Sequence, residues 1–268
     1  MKAYHKLIKK IKKPIFSFIK SHYENYGLKN LKKNQILYHT LSNYLKGSKT
    51  TGCNYYDYWF LYDYIRQYKP IEILECGTGA STLVMAHALM ENTQDGHSSG
   101  RITSLEDVEC WYQHAQKLIP DQLKSYIALI YSPKVEYYHS IFRGVGYEEI
   151  PEKDYQFVFI DGPETTAPSD QIGTFDFDLI NIVKKANQPV FAVVDKRVTT
   201  CYVFQKVFGT DKVRYDPRCD LGFVGPLIKS DLKSKIGTAS FFHCFRLLGS
   251  TRLDFYLRPP TEQKLQDR

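Results

Sequence analysis

The chain lacks any pairing of its cysteines. The six, at 53, 76, 110, 201, 219 and 244, lie far apart, with no C-x-x-C spacing and no local cysteine-histidine cluster. That argues against a zinc ribbon or a disulfide framework and points to a reducing, cytoplasmic compartment. Long apolar runs are missing too: no stretch approaches the ~18–20 residues needed to cross a bilayer. The N-terminus has no clean apolar segment ending in small residues, as a signal peptide requires. There is no internal repeat and no low-complexity tract. Acids are scarce at one end only: residues 1–33 hold ten lysines against the single acid Glu24, so the rest of a chain of net charge +7 is slightly acidic. A nucleic-acid-binding body carries its basic stripe on the folded domain, so nucleic acid is not expected as a partner.

What is present is ordinary globular composition, 43% apolar and 24% charged, with enough length for one large α/β domain and an appendage. We divide the chain into a basic helical extension over 1–50 and a catalytic domain over 51–268. Tyr4, Leu7, Ile8 and Ile11 recur at helical spacing with lysines opposite; Pro14 breaks the pattern, which resumes at Ile15. Such a stripe either docks on the protein's own body or lets residues 1–20 lie on the anionic inner face of a membrane. GSKTTG at 47–52 reads as a linker. Beyond it, apolar strands at 71–75, 102–106, 127–131, 134–138, 155–161 and 189–195 alternate with helices at 54–68, 81–90, 108–118 and 176–185. Strands apolar throughout and separated by helices imply a parallel sheet covered on both faces. Segments 239–246 and 250–258 suggest an antiparallel hairpin at the sheet edge.

Four strand ends carry chemistry. Glu75-Cys-Gly-Thr-Gly-Ala-Ser-Thr82 directly follows an apolar strand and opens a helix. Gly77 and Gly79 permit a tight turn that a ligand can approach, and the helix start offers unpaired N–H groups to an anionic group such as a carboxylate. The turn departs from the dinucleotide fingerprint G-x-G-x-x-G, because Thr82 stands at the third glycine and Glu75 sits two residues before the first. Glu75 suits the ammonium of an amino-acid-like ligand, directly or through water; the plain alternative is an ordinary strand-end acid. Glu106, followed by Asp107, ends the second strand, where α/β nucleotide sites hold ribose hydroxyls. Asp161, in Ile-Asp-Gly-Pro, and Asp195, in Val-Asp-Lys-Arg, close two further apolar strands at the carboxyl edge, where open α/β sheets bind ligands. Asp161 suits an ammonium, or a substrate hydroxyl whose proton it takes. Lys196 and Arg197 either hold an anionic substrate or neutralise the acids. His139, after the strand at 134–138, is a candidate general base or a hydrogen-bonded loop residue.

Together LECGTGAST at 74–82, TSLEDVECWY at 103–112 and IDGP at 160–163 resemble class I S-adenosylmethionine-dependent methyltransferases. The nearest branch carries L-E-x-G-x-G-x-S-T, T-S-L/I-E with a following Trp-Tyr, and D-G-P, and includes small-molecule and sugar O-methyltransferases. The likeness covers roughly residues 54–225. It implies a Rossmann-like α/β fold, a seven-strand mostly parallel sheet with helices on both faces and the last strand antiparallel. It also implies S-adenosylmethionine as cofactor and a hydroxyl of a small molecule or glycan as acceptor. By position, Glu75, Gly77, Gly79 and Ser81, with Thr82 in the same turn, are expected around the methionine part of the cofactor. Glu106 is expected on the ribose, Asp107 beside the adenine, and Asp161 near the transferred methyl. Asp161 is the first candidate for the base, with His139 and Asp195 behind it. Metal-dependent relatives follow the fifth strand with Asp-Asp or Asp-Asn; here Lys196 follows Asp195, so no metal is expected. The stretch after Pro163 also lacks the arginine found in relatives. Three rival readings stand beside this one: an NAD-dependent Rossmann oxidoreductase, a non-catalytic membrane-associated module of the same fold, and a methyltransferase acting on nitrogen or protein.

Overall fold

Seven strands stack edge to edge in the computed structural model, which describes residues 2–48 and 53–236, residues 2–16 by their backbone alone. In chain order the elements are α1 (Lys2–Leu31), α2 (Gln35–Gly47), α3 (Tyr55–Tyr68), β1 (Glu72–Cys76), α4 (Ala80–Gln94), β2 (Arg101–Glu106), α5 (Glu109–Leu118) and α6 (Asp121–Lys124). There follow β3 (Ile127–Tyr131), β4 (Lys134–His139), β5 (Phe142–Tyr147), β6 (Phe157–Ile160), α7 (Asp178–Lys185), β7 (Val190–Asp195), α8 (Val198–Val207), β8 (Val213–Asp216) and β9 (Leu221–Leu227). The sheet order is β3-β2-β1-β6-β7-β9-β8. Strands β3 to β7 of that order are parallel, and β9 runs antiparallel to both β7 and β8. This is the seven-strand, mostly parallel sheet expected from the motifs.

Successive strand residues point to opposite faces, and two separate cores result. On one face Leu74, Cys76, Leu105, Val158, Ile160 and Val194 meet α7 and α8 through Leu179, Val183, Phe204 and Val207. On the other, Ile73, Ile102, Phe157, Phe159 and Val193 meet α3 and α4 through Leu61, Ile65, Leu83 and Val84. Covering both faces is what lets the strands be apolar throughout.

Residues 24–44 of the extension dock on this body. Leu31, Leu37, Leu41 and Tyr44 are buried in the same core as α3 and α4. A Cβ added to Gly27 would come within 2.5 Å of the Tyr55 backbone, so α1 and α3 cross with their main chains in contact. Glu24 Oε2 accepts from the Tyr55 amide at 2.9 Å. Against expectation, α1 runs on through Pro14. A proline removes one intrahelical donor and crowds the preceding turn, at about 3 kcal/mol, without forcing the helix to end. The strand expected at 134–138 exists as β4, but it pairs only with β5, in a hairpin outside the main sheet. The expected hairpin at 239–258 and most of the expected linker lie outside the described residues; Gly47 itself closes α2. Among the described residues no helix is long and apolar enough to cross a membrane.

Candidate functional site

A cleft of about 560 Å³ opens at the carboxyl ends of β1, β2 and β6. Its walls include Gly77 to Ser81, Glu106 to Val108, Trp111, Asp161 to Thr165, Tyr147 and Arg197, with Cys53 and Tyr58 from the α3 side. The size suits a nucleoside-sized ligand. A larger hollow of about 650 Å³ lies near the amino end of β6, between Lys153 and Lys185, without a glycine turn or a helix N-terminus.

The turn after β1 brings the strand ends together. Gly77 has φ +93°, and a Cβ there would sit 3.0 Å from Asp161 C and Gly162 N. Its missing side chain therefore makes room for the loop after β6, in addition to freeing the approach of a ligand. Glu75 is fully buried and accepts three hydroxyls: Ser81 Oγ at 2.6 Å, Thr82 Oγ1 at 2.5 Å and Ser104 Oγ at 2.7 Å. The Gly79 amide donates to Thr82 Oγ1 at 3.0 Å. Burial pushes the Glu75 carboxyl up to about 7 despite those donors. Glu75 and Thr82 are thus one layer behind the cleft wall, and Ser81, which does line it, stands between Glu75 and the cleft.

Glu106 faces the cleft from the end of β2, only 7% exposed. Its Oε1 accepts from the Val108 amide at 3.0 Å and its Oε2 from the Thr78 amide at 3.4 Å. Burial first, and the neighbouring Asp107 carboxylate among the smaller causes, raise it to about 7. Asp107 also lines the cleft and is raised by burial, against the pull of Lys134.

Asp161 lies at the opposite wall. Burial and the Asp195 carboxylate lift it to about 7, while Arg197 and Lys196 hold it down. Arg197 donates to the carbonyls of Pro163 at 2.9 Å and Asp161 at 2.5 Å and pairs with Asp176 Oδ1 at 3.0 Å. It fixes the loop that carries Asp161 while also lining the cleft. Asp195 is 1% exposed and does not line the cleft; its Oδ2 accepts from Lys196 Nζ at 3.2 Å. His139 is not brought to the cleft either. The hairpin carries it away from the main sheet, where its Nε2 donates to the Lys233 carbonyl at 2.7 Å.

Sequence reading overlooked several wall residues. Cys53 and Tyr58 reach the cleft because α3 packs beside β7, and the helical pattern of 54–68 does not say where that helix lands. Tyr147 comes from β5, a strand for which the apolar pattern gave no expectation. Its hydroxyl is buried without a hydrogen-bond partner and would lie 2.8 Å from a Cβ on Gly162. Trp111 carried the one legible signal, as the Trp of the Trp-Tyr pair after Glu106.

No protein-family model matches the chain, and neither does any curated protein. Among solved structures, an O-methyltransferase from Bacillus cereus in complex with S-adenosylhomocysteine is 18% identical over 68% of this chain and 74% of its own, with a TM-score of 0.42. A putative caffeoyl-CoA O-methyltransferase from Staphylococcus aureus is 15% identical over 75% and 99%, with a TM-score of 0.47. The O-methyltransferase TomG from Streptomyces achromogenes, in complex with S-adenosylmethionine, is 15% identical over 67% and 72%, at 0.41. All three scores lie below one half, and likenesses that weak carry no conclusion about this chain.

Proposed function

We propose that the protein transfers the methyl group of S-adenosylmethionine to a hydroxyl of a small molecule or glycan. One observation carries the reading: the glycine turn and Glu106 share one cleft, close enough for the Thr78 amide to reach Glu106 Oε2 at 3.4 Å. A nucleoside whose ribose diol binds Glu106 then lays its 5′ substituent along the turn at 77–81. The start of α4 offers amide N–H groups to a methionine carboxylate. Ser81, backed by Glu75, offers polar contact to the amino-acid end. Asp107, Val108 and Trp111 border the place for the base.

Methyl transfer asks little covalent help of a protein; it needs the acceptor oxygen held in line with the methyl carbon and the sulfur. As the oxygen–carbon bond forms, the carbon–sulfur pair returns to sulfur, leaving a neutral thioether. Asp161 takes the acceptor proton. It is the only one of the three candidate bases that lines the cleft, so His139 and Asp195 fall behind it.

An NAD-dependent oxidoreductase fits less well. Its sheet is built in the parallel order 3-2-1-4-5-6, whereas β9 inserts antiparallel between β7 and β8, and Thr82 replaces the third glycine. Calorimetry with S-adenosylhomocysteine and with NAD separates the two, since only the former should bind. A screen of hydroxylated acceptors with radiolabelled methyl donor should then yield a labelled ether. Binding of NAD without binding of S-adenosylhomocysteine would overturn the proposal.

A further inference from the structure

Behind Asp161 lies a group of side chains that the reaction above does not use. Among the described residues, Cys53, Asp57 and Asp195 form the one group of three with potential metal-ligating atoms all within 4.8 Å of one another. Asp57 and Asp195 are each 1% exposed. Each has one oxygen engaged and one bare. Asp57 Oδ2 accepts from the Asn54 amide at 2.8 Å, closing the cap of α3, while its Oδ1 is buried with no partner. Asp195 Oδ2 accepts from Lys196 Nζ at 3.2 Å, while its Oδ1 is likewise buried and unpartnered. Leaving a buried carboxylate oxygen without any donor is costly, and here two such oxygens belong to residues of one cluster.

Neither nearby cation hydrogen-bonds these two oxygens, although the charge of Lys196 acts on Asp57 and Cys53 as well as on Asp195. Arg197 is occupied by Asp176 and by two backbone carbonyls, and Lys196 meets the other oxygen of Asp195. The engaged oxygens restrain each carboxylate's rotation, as outer partners of metal ligands do. Cys53 supplies the third donor. Its Sγ also lies 3.7 Å from Asp161 Oδ2, which ties the cluster to the cleft and gives an ion a way in.

We propose that Cys53, Asp57 and Asp195 form a binding site for a borderline divalent transition-metal ion, zinc being the natural occupant. A thiolate beside two carboxylates favours zinc or cobalt over magnesium or calcium, which take oxygen ligands alone. Zinc bonds of about 2.3 Å to sulfur and about 2.0–2.2 Å to oxygen set tetrahedral donors roughly 3.3–3.6 Å apart, so donors now within 4.8 Å of one another draw together on binding. Three protein ligands leave a fourth position for water. The site was invisible in sequence because its ligands come from the start of α3 and the end of β7, far apart in the chain.

The test needs no methyl donor, so its outcome is separate from that of the proposed reaction. Full-length protein is stripped with a chelator and titrated with Co²⁺, which reports a thiolate ligand by near-ultraviolet charge-transfer absorbance. One equivalent is expected to bind, to be displaced by Zn²⁺ and to be unaffected by excess Mg²⁺. Loss of an outer partner costs about 10–100-fold in affinity, and loss of a ligand should cost no less. Cys53→Ser should therefore abolish the charge-transfer band, and Asp57→Asn should weaken binding at least about tenfold. Cys110→Ser, at an exposed cysteine on α5, should change neither. Circular dichroism confirms that each variant is folded, and Cys53→Ser, at a half-buried position, decides the matter should Asp57→Asn unfold. Absence of a saturable one-to-one band in the wild type, or a band that survives Cys53→Ser, would overturn the proposal.

Discussion

Replacing Glu106 by Gln separates a ligand-facing acid from a merely structural one, because the two predict opposite changes in stability. In the free protein the Glu106 carboxyl is raised from 4.5 to about 7. A carboxyl raised by folding contributes stability that is fully present below pH 4.5 and is lost as pH rises through about 7. Each unit is worth about 1.4 kcal/mol, so ionised Glu106 costs the free fold up to about 3 kcal/mol at pH 8. Gln is neutral, keeps the shape and still accepts from the Val108 amide. Glu106→Gln should therefore leave stability unchanged at pH 5 and raise it by about 1–2 kcal/mol at pH 8, read by urea denaturation. Cofactor binding should move the other way. A hydrogen bond from a ribose hydroxyl to a carboxylate is worth about 1.5–3 kcal/mol, so affinity for S-adenosylhomocysteine should fall roughly 10–150-fold at pH 8. Wild-type affinity should also weaken as pH drops below about 7, and that fall should be shallower in the variant. Glu75 lies at a similar value and keeps part of the slope. Unchanged affinity at pH 8 in a folded Glu106→Gln protein would refute the assignment of Glu106 to the ribose.

Three other substitutions test separate links. Gly77→Ala meets both a left-handed backbone and the loop of Asp161 and Gly162 at 3.0 Å; it should cost about 2–4 kcal/mol in denaturation and loosen cofactor binding with it. Asp161→Asn should lower turnover by about 10²–10⁴-fold while cofactor affinity stays within a few-fold, and full turnover in rapid-mixing assays would remove Asp161 as the base. Leu41→Ala empties a fully buried position where α2 meets the main core; a loss of about 2–5 kcal/mol in one cooperative transition is expected. A separate early transition would mean that the helical extension melts alone.

Much of the fold was legible in local pattern because its physical cause is local. Strands buried on both faces must be apolar throughout, so β1, β2, β3, β6 and β7 announce themselves. A carboxylate is costly to bury without partners, so the acids at or near the ends of four of them mark its carboxyl edge. Gly77, Gly79, Ser81, Glu106, Asp107 and Asp161 do line one cleft, as the motifs suggested.

Other features depend on distances that sequence spacing does not encode. Whether β4 joins the sheet or folds back on β5 depends on which partner its edge meets, and apolar content is the same either way. Glu75 reads like a ligand contact, yet three hydroxyls from α4 and β2 close over it, and only the packed turn reveals that. His139 has the chemistry of a base and the wrong address, because the hairpin takes it to Lys233. Asp57 carries no signal in the sequence, and only the packing of α3 brings it beside Asp195 and Cys53. Composition and periodicity determined the sheet and which acids stand at its edge, because burial acts residue by residue. Which of those acids face a ligand, and which face each other, was decided by tertiary packing alone, because it turns on ångström separations between elements far apart in the chain.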